Sequence, residues 1–427
     1  MKTRIALRTV AVVAILAVAM SATASANARS ASNASTPGVT ASSIRLGFIY
    51  PDTSNLPAGF KLPDTGDLVG QAKAFVDNLN QRGGINGRTV ELKPYKFNLT
   101  DGLTGMRAKC LQATEDDKVF AVVTPSFFAD PVLCVTQQHK TPMILAGGTT
   151  QEIVNKSKGL LYLTNFTTEH AIQASVDPLV KAKALKGKKL AVLLEDTPGF
   201  DTAIENGLVK PLAKHGLSIA DKVTIAASLD GINALPAAVQ RLKSEGVNGV
   251  FLAVNAIFSS FFMQAAVKAD YKPQYFASDL SENSTNILPQ SAPKDQMDGA
   301  LGTTWRRTGS STIGEAPDPF DTKCNATYAK QAGVAPAKAG SEVYSAIAGS
   351  CGLIDVFDQA TTAAGKNLTI AAFTKALQGL KSFQLGYGGK GSFGTKKFDA
   401  PDEVRTLKYR PSCNCWVPTG AYQPVKF

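Results

Sequence analysis

The chain has 427 residues, of which 44% are hydrophobic and 19% charged, with a formal net charge of +11. That length exceeds one compact core and allows two lobes, and the residue balance is that of a folded globular chain. The basic excess does not indicate a nucleic-acid partner, because Lys and Arg are scattered and interleaved with acids. The densest cluster, Lys181, Lys183, Lys186, Lys188 and Lys189, precedes a strand and reads as a solvated helix and turn, or as a weak attraction to an anionic envelope surface. At the start, Lys2, Arg4 and Arg8 precede an apolar run from Val10 to Met20, followed by Ala24-Ser25-Ala26 and Ala26-Asn27-Ala28. This is the three-part pattern of a signal peptide, expected over residues 1–28. The competing reading is a membrane anchor, but the run is roughly half of the ~20 residues needed to cross a bilayer. No later segment is long and apolar enough to span. Loss of the three early cations would take the charge from +11 to +8.

Residues 29–42 are mostly small and polar and form an expected flexible lead-in. Strands and helices then alternate. Strands are expected at Ile44–Tyr50, Thr89–Pro94, Val119–Thr124 and Pro142–Leu145, with helices at Asp67–Gln81, Leu103–Thr114 and Pro131–His139. A second series places strands at Lys189–Leu194, Ala220–Ile225, Gly249–Val254 and Gln274–Ala277. Its helices are His170–Ala184, Thr202–His215, Ala234–Gly246 and Ser259–Ala269. A strand over Gly299–Trp305 precedes helices at Pro319–Ala332, Ser341–Ala364 and Ile370–Leu380, and the turn-rich tail holds short strands near Lys408 and Trp416. Near-continuous apolar strands between helices predict α/β architecture, with two doubly wound parallel-sheet units in series.

Six cysteines in an exported chain suggest disulfides, and six allow fifteen pairings. Local order suggests Cys110–Cys134, Cys324–Cys351 and Cys413–Cys415, the last closing a very small ring. No CxxC occurs, and His139, His170 and His215 are the only histidines, so neither a metal nor a cofactor is expected. No cysteine precedes Cys110, so the lipid-anchoring device of bacterial lipoproteins is absent and the protein is expected in the periplasm or secreted.

The segment AKAFVDNLNQRGGINGR over Ala72–Arg88 ends a helix, makes a tight turn and starts a strand. It resembles the first helix-to-strand junction of the type I periplasmic binding proteins, in particular the branched-chain amino-acid-binding family of ABC importers. The resemblance implies two doubly wound parallel-sheet lobes joined by a three-crossing hinge. The crossings fall near Asn165–Thr168, Gly299–Thr304 and Lys397–Pro401. Lobe I would comprise 43–165 plus 301–398, and lobe II 166–300 plus 399–427. It also implies capture of a small molecule, delivery to ABC importer permease subunits, a monomer, and no catalysis.

Ligands of open α/β sheets sit beyond the carboxyl ends of strands, where helix N-termini suit a carboxylate. Ser126 follows one such strand, and Gly147 and Thr149 follow the next. The resemblance of Met143–Thr149 (MILAGGT) to the family's MISPAAT places the carboxylate-binding roles on Gly147, Thr149 and Ser126. Simple helix capping is the alternative for Ser126 and Thr149. The loop Glu195–Phe200 resembles the family's DDxxYG, which makes Phe200 an aromatic wall, although Asp201 replaces the glycine. Phe60 is a wall candidate after the first strand. Either ring could instead be core. By the same resemblance Asp279 is the counter-charge for an ammonium, with Asn255 adding an amide. Asp279 could equally cap the next helix. If Asp279 does not face the cleft, aromatic acids, amides and other small organics become open.

Two other function classes compete. An exported hydrolase would show a G-x-S-x-G elbow, which is missing, since Gly391-Ser392-Phe393-Gly394 lacks the first glycine. No P-loop or dinucleotide fingerprint is present. A sensory or adhesive module on the same fold remains the other alternative.

Overall fold

The central strands Ala121–Thr124, Met143–Leu145, Leu190–Glu195 and Gly249–Ala253 are buried along nearly their whole length, as parallel strands covered on both faces must be. The computed structural model describes residues 36–52, 64–127, 129–226 and 229–427. The expected signal peptide, the first half of the lead-in and Phe60 lie outside the described residues. In the first sheet, β1 (Ser43–Asp52), β2 (Thr89–Asn98), β3 (Ala121–Thr124), β4 (Met143–Leu145) and β5 (Leu161–Leu163) run parallel in the order β2-β1-β3-β4-β5. The second sheet is built on β6 (Leu190–Glu195), β7 (Ile219–Ile225), β8 (Gly249–Ala253), β9 (Gln274–Ala277) and β10 (Leu301–Thr304). After a two-stranded ribbon of β11 (Phe383–Gln384) and β12 (Lys390–Gly391), three strands return to the second sheet: β13 (Glu403–Arg410), β14 (Cys415–Pro418) and β15 (Gln423–Pro424). Its order is β14-β13-β10-β9-β8-β6-β7, with β15 beside β13, and only the pairings of β13 are antiparallel. This is the α/β fold of parallel sheets that the alternating pattern predicts.

Element positions follow local chemistry. Asp67 caps the helix Leu68–Gln81, accepting from Gly70 N–H at 3.0 Å. The helix gives way at Gly83-Gly84 to a turn in which Ile85 and Arg88 exchange backbone hydrogen bonds of 2.8 and 3.0 Å. Asn86 and Gly87 both have positive φ there, as a two-residue hairpin turn requires. A Cβ on Gly84 would lie 2.0 Å from the Arg88 carbonyl, so glycine is required at that point. β5 is three residues long, too short to show a sequence period, and is set by pairing with β4.

Helices Pro319–Ala332, Glu342–Ala364 and Ile370–Gly379 return to the first sheet, where Phe373 meets Phe120 edge-to-face at 5.2 Å. The three disulfides pair as local order suggested. Cys110–Cys134 ties two elements over one face of the first sheet, Cys324–Cys351 joins two of the returning helices, and Cys413–Cys415 closes the turn into β14.

The chain passes between the sheets three times, after β5, after β10 and before β13. β10 lies within the second sheet, between β9 and β13, so the segment from residue 301, assigned above to lobe I, leaves the second sheet only after Thr304. Buried hydrogen bonds bind these crossings. Asp399 in the third crossing accepts from Thr167 N–H in the first at 3.1 Å and pairs with His170 Nδ1 at 2.6 Å. Trp305 Nε1 in the second crossing donates to Asn165 in the first at 2.9 Å. The Trp305 backbone N–H donates to Asp279 at 2.6 Å, and Thr304 Oγ1 donates to the same carboxylate at 2.7 Å. Burial alone would raise Asp399. The His170 hydrogen bond and charge, Lys397 and the Thr167 N–H outweigh it and hold the carboxyl below its ordinary value.

Two stability outcomes are expected. Replacing Cys324 and Cys351 together by Ser frees a separation of 27 residues and should lower unfolding free energy by about 3 kcal/mol in urea titrations. Asp279→Ala strands buried donors and should cost about 2–4 kcal/mol. A loss below about 0.5 kcal/mol, the scale of an ordinary surface substitution, would show that the carboxylate does not hold the second crossing.

Candidate ligand-binding site

In the first sheet the strand order reverses between β1 and β3, and ligands of such sheets sit in the crevice beyond that reversal. A cavity of about 530 Å³ opens there, within the range of small-molecule sites. Tyr50, Asp52, Ser126 and Ala146 reach it from the strand ends of the first sheet, and Asp67 from the start of the first helix. The second sheet contributes Glu282, Thr285 and Asn286 after β9, and Trp305 and Arg306 after β10. The remaining wall is the helix Glu342–Ala364, with Glu342, Ser345 and Ser350, and the β11–β12 ribbon with Gly386 and Tyr387. The ribbon packs so tightly that a Cβ on Gly386 would lie 2.0 Å from the Ala348 carbonyl.

Two wall residues hold left-handed backbone conformations uncommon for side-chain-bearing residues, Glu282 at φ 66° and Tyr387 at φ 56°. Tyr387 is held by its N–H donating to Asp321 at 2.9 Å, while its carbonyl accepts from Arg307 N–H at 3.2 Å. Arg306 pairs with Glu282 at 2.9 Å and lays its guanidinium 4.9 Å from the Trp305 ring centroid. Lys96 pairs with Asp52 at 2.9 Å.

The sequence-derived candidates fall differently. Ser126 lines the cavity, and its backbone is held by Thr124 Oγ1, which accepts from the Ser126 N–H at 3.2 Å and donates to its carbonyl at 3.0 Å. Gly147 and Thr149 are not on the described wall. Thr149 is buried with its carbonyl accepting from Thr168 N–H at 2.9 Å, and Thr150 rather than Thr149 caps the next helix. Phe200 is packed into the core at the start of its helix. Asn255 caps the helix Ala256–Lys268 through Ile257 and Phe258 N–H, both at 3.1 Å, and donates to Glu195 at 2.9 Å. The Glu195–Asn255 pair therefore lies beyond the strand ends at the reversal of the second sheet, between β6 and β8.

Asp279 does not reach the cavity. It lies buried beneath the wall, its carboxylate taken by Ser284, Thr304 and the Trp305 N–H. Burial pushes its carboxyl above the ordinary range against the pull of Arg306 and these donors. The expected ammonium partner is thus a scaffold residue that places Trp305 and Arg306. Sequence reasoning missed Arg306, Glu282, Glu342 and Tyr387. The available signals were position alone: Arg306 beyond a strand end, Glu342 in the first turn of a capped helix, and Tyr387 in a glycine-rich turn. The one group of potential metal ligands among the described residues is Cys110, Cys134 and His139, and both sulfurs are committed to a disulfide.

Burial pushes Asp321 up to about 7, with Tyr387 N–H and Arg307 opposing and Asp318 adding to the rise. Its folded value exceeds the unfolded value near 4, so its contribution to stability is full below about pH 4 and is lost as pH rises through about 7. Between these limits Asp321→Asn should remove up to about 1.4 kcal/mol per pH unit from the slope of stability against pH in urea titrations. An unchanged slope would place the Asp321 titration elsewhere.

Comparison with known proteins supplies the family. The profile of the family described as "Periplasmic binding protein" matches residues 43–409. The fold is similar to a solute binding protein of an ABC transporter from Rhodopseudomonas palustris BisB5 in complex with 3,4-dihydroxy benzoic acid. The TM-score is 0.65 at 15% identity, covering 90% of this chain and 97% of that one. It is equally similar to a branched chain amino acid ABC transporter protein from Thermus thermophilus with bound valine, with TM-score 0.66 at 15% identity, covering 91% and 98%. The Leu/Ile/Val-binding protein homolog 8 of Brucella abortus is 23% identical over 244 residues, which is 54% of this chain and 56% of that protein. The chain therefore spans about half the length of the curated relatives it matches. No helix among the described residues is long and apolar enough to cross a membrane. From the match over most of its length, the chain belongs to the periplasmic binding protein family.

Proposed function

We propose that this protein is an extracytoplasmic solute-binding protein that captures a small organic molecule between its two lobes and delivers it to the permease subunits of an ABC importer. The observation that carries the reading is the cavity at the β1/β3 reversal, walled by loops from both sheets. Three connections between the sheets permit hinge bending. A ligand touching both sides would then shift the open–closed balance by its differential affinity. The lobe assignment follows the crossings, with 43–163 and the helices from Pro319 on one side and 168–304 with β13–β15 on the other. Export through an N-terminal signal, a monomeric state and the lack of catalysis complete the reading, and family membership supports them.

Ser126 is proposed as a ligand contact because it lines the cavity just beyond the end of β3. Valine and 3,4-dihydroxy benzoic acid, bound by the two structural relatives above, set the scale of molecule to test. A thermal-shift screen of purified protein against amino acids, aromatic acids, amides and sugars tests the reading. A true ligand at a hundredfold excess over its dissociation constant adds roughly 2.7 kcal/mol of stability, and Ser126→Ala should reduce that gain. Absence of any shift across the panel would move the assignment to a sensory or adhesive module.

A further inference from the structure

Each charged group on the described cavity wall except one has a partner within the protein. Lys96 pairs with Asp52, Glu282 with Arg306, and Asp67 accepts from Gly70 N–H at the start of its helix. Glu342 differs. Its backbone carbonyl accepts from Ser345 Oγ at 2.8 Å, but its carboxylate receives no hydrogen bond or ion pair among the described residues. It sits in the first turn of the helix Glu342–Ala364, capped by Ser341, so its backbone is fixed. Arg306, the wall cation whose charge acts on Glu342, is already engaged by Glu282 and by the Trp305 ring.

We propose that Glu342 determines specificity by accepting a protonated amine of the ligand. The inference rests on the solute-binding reading above. A half-buried carboxylate facing a ligand cavity without a donor is costly until a cation meets it. Burial, with the negative charge of Glu282 adding to it, pushes the Glu342 carboxyl above its ordinary value while Arg306 opposes. An ammonium group would reverse that shift, and a ligand carboxylate placed there would be repelled. The wall as described carries four acids, Asp52, Asp67, Glu282 and Glu342, against two cations, Lys96 and Arg306, in a chain whose formal charge is +11. The amine could belong to an amino acid or to a simple alkylamine, and the shared chemistry is the cationic donor.

Isothermal titration of the purified protein with matched sets tests the inference. One set is leucine, 4-methylpentanoate and isoamylamine, and the other is phenylalanine, 3-phenylpropionate and phenethylamine. The expected result is binding of amine-bearing members and none of the acids lacking an amine, with about ten- to hundredfold weaker binding in Glu342→Gln. Binding of both the amino acid and the alkylamine would identify the amine as sufficient, and binding of the amino acid alone would add a carboxylate requirement. Binding by the deaminated acids, or undiminished binding in Glu342→Gln, overturns the inference and leaves solute capture standing. If neither these sets nor the wider screen of acids, amides and sugars yields binding, the solute-capture reading falls and the inference with it. The matched comparison in the unsubstituted protein stands even where the variant folds poorly.

Discussion

The buried hydrogen bonds that join the three chain crossings are the constraint on which the rest of the structure depends. Two sheets joined only by extended chain would have no fixed relation, because backbone donors at the crossings would turn to water. Here Asp399 joins the third crossing to the first through Thr167 and His170, and Asn165 joins the first to the second through Trp305. Asp279 then anchors the second crossing to the end of β9 and to Thr304. Groups this deeply buried must be paired, and each of these pairs joins residues far apart in sequence. The crossings are therefore registered against one another.

That arrangement explains why the cavity is asymmetric. Both sheets reverse strand order and both offer a crevice at the reversal. The crevice of the first sheet is open to the cavity through Tyr50, Asp52 and Ser126. At that of the second, Glu195 accepts from the Asn255 N–H at 2.6 Å and from its side-chain amide. The second sheet reaches the cavity instead through the loops after β9 and β10. The left-handed conformations of Glu282 and Tyr387 are maintained by their surroundings, and strain of this kind concentrates where side chains must be aimed at a ligand. Charge follows the same logic. The cations are spread over the surface, whereas the wall pairs them off and leaves Glu342 as the wall carboxylate without a donor among the described residues.

Most of the architecture was legible in the sequence. Strands such as Leu190–Glu195 and Gly249–Ala253 are apolar runs that only a sheet covered on both faces can accommodate, and the caps Asp67 and Ser341 mark their helices directly. The disulfide order followed from neighbouring elements. The short strand Leu161–Leu163 was not legible, since three residues carry no period, and the extent of β10 was set by its partners β9 and β13. The site was read less well. Ser126, which follows a strand end, lies on the cavity wall, whereas the same reasoning applied to Asp279, Asn255 and Phe200 gave residues engaged in the protein's own hydrogen bonds and core.

The sequence by itself determined the class of fold, the order of elements and the family, because periodicity, caps and a glycine-bearing turn act over a few neighbouring residues. Only the tertiary structure decided which polar side chains face the ligand space. Asp279 and Glu342 are both acids next to helical turns, and nothing local separates them. Asp279 is consumed by Ser284, Thr304 and Trp305, whereas the Glu342 carboxylate meets no donor among the described residues. That difference depends on partners brought together from distant parts of the chain, and it exists only once the crossings are closed.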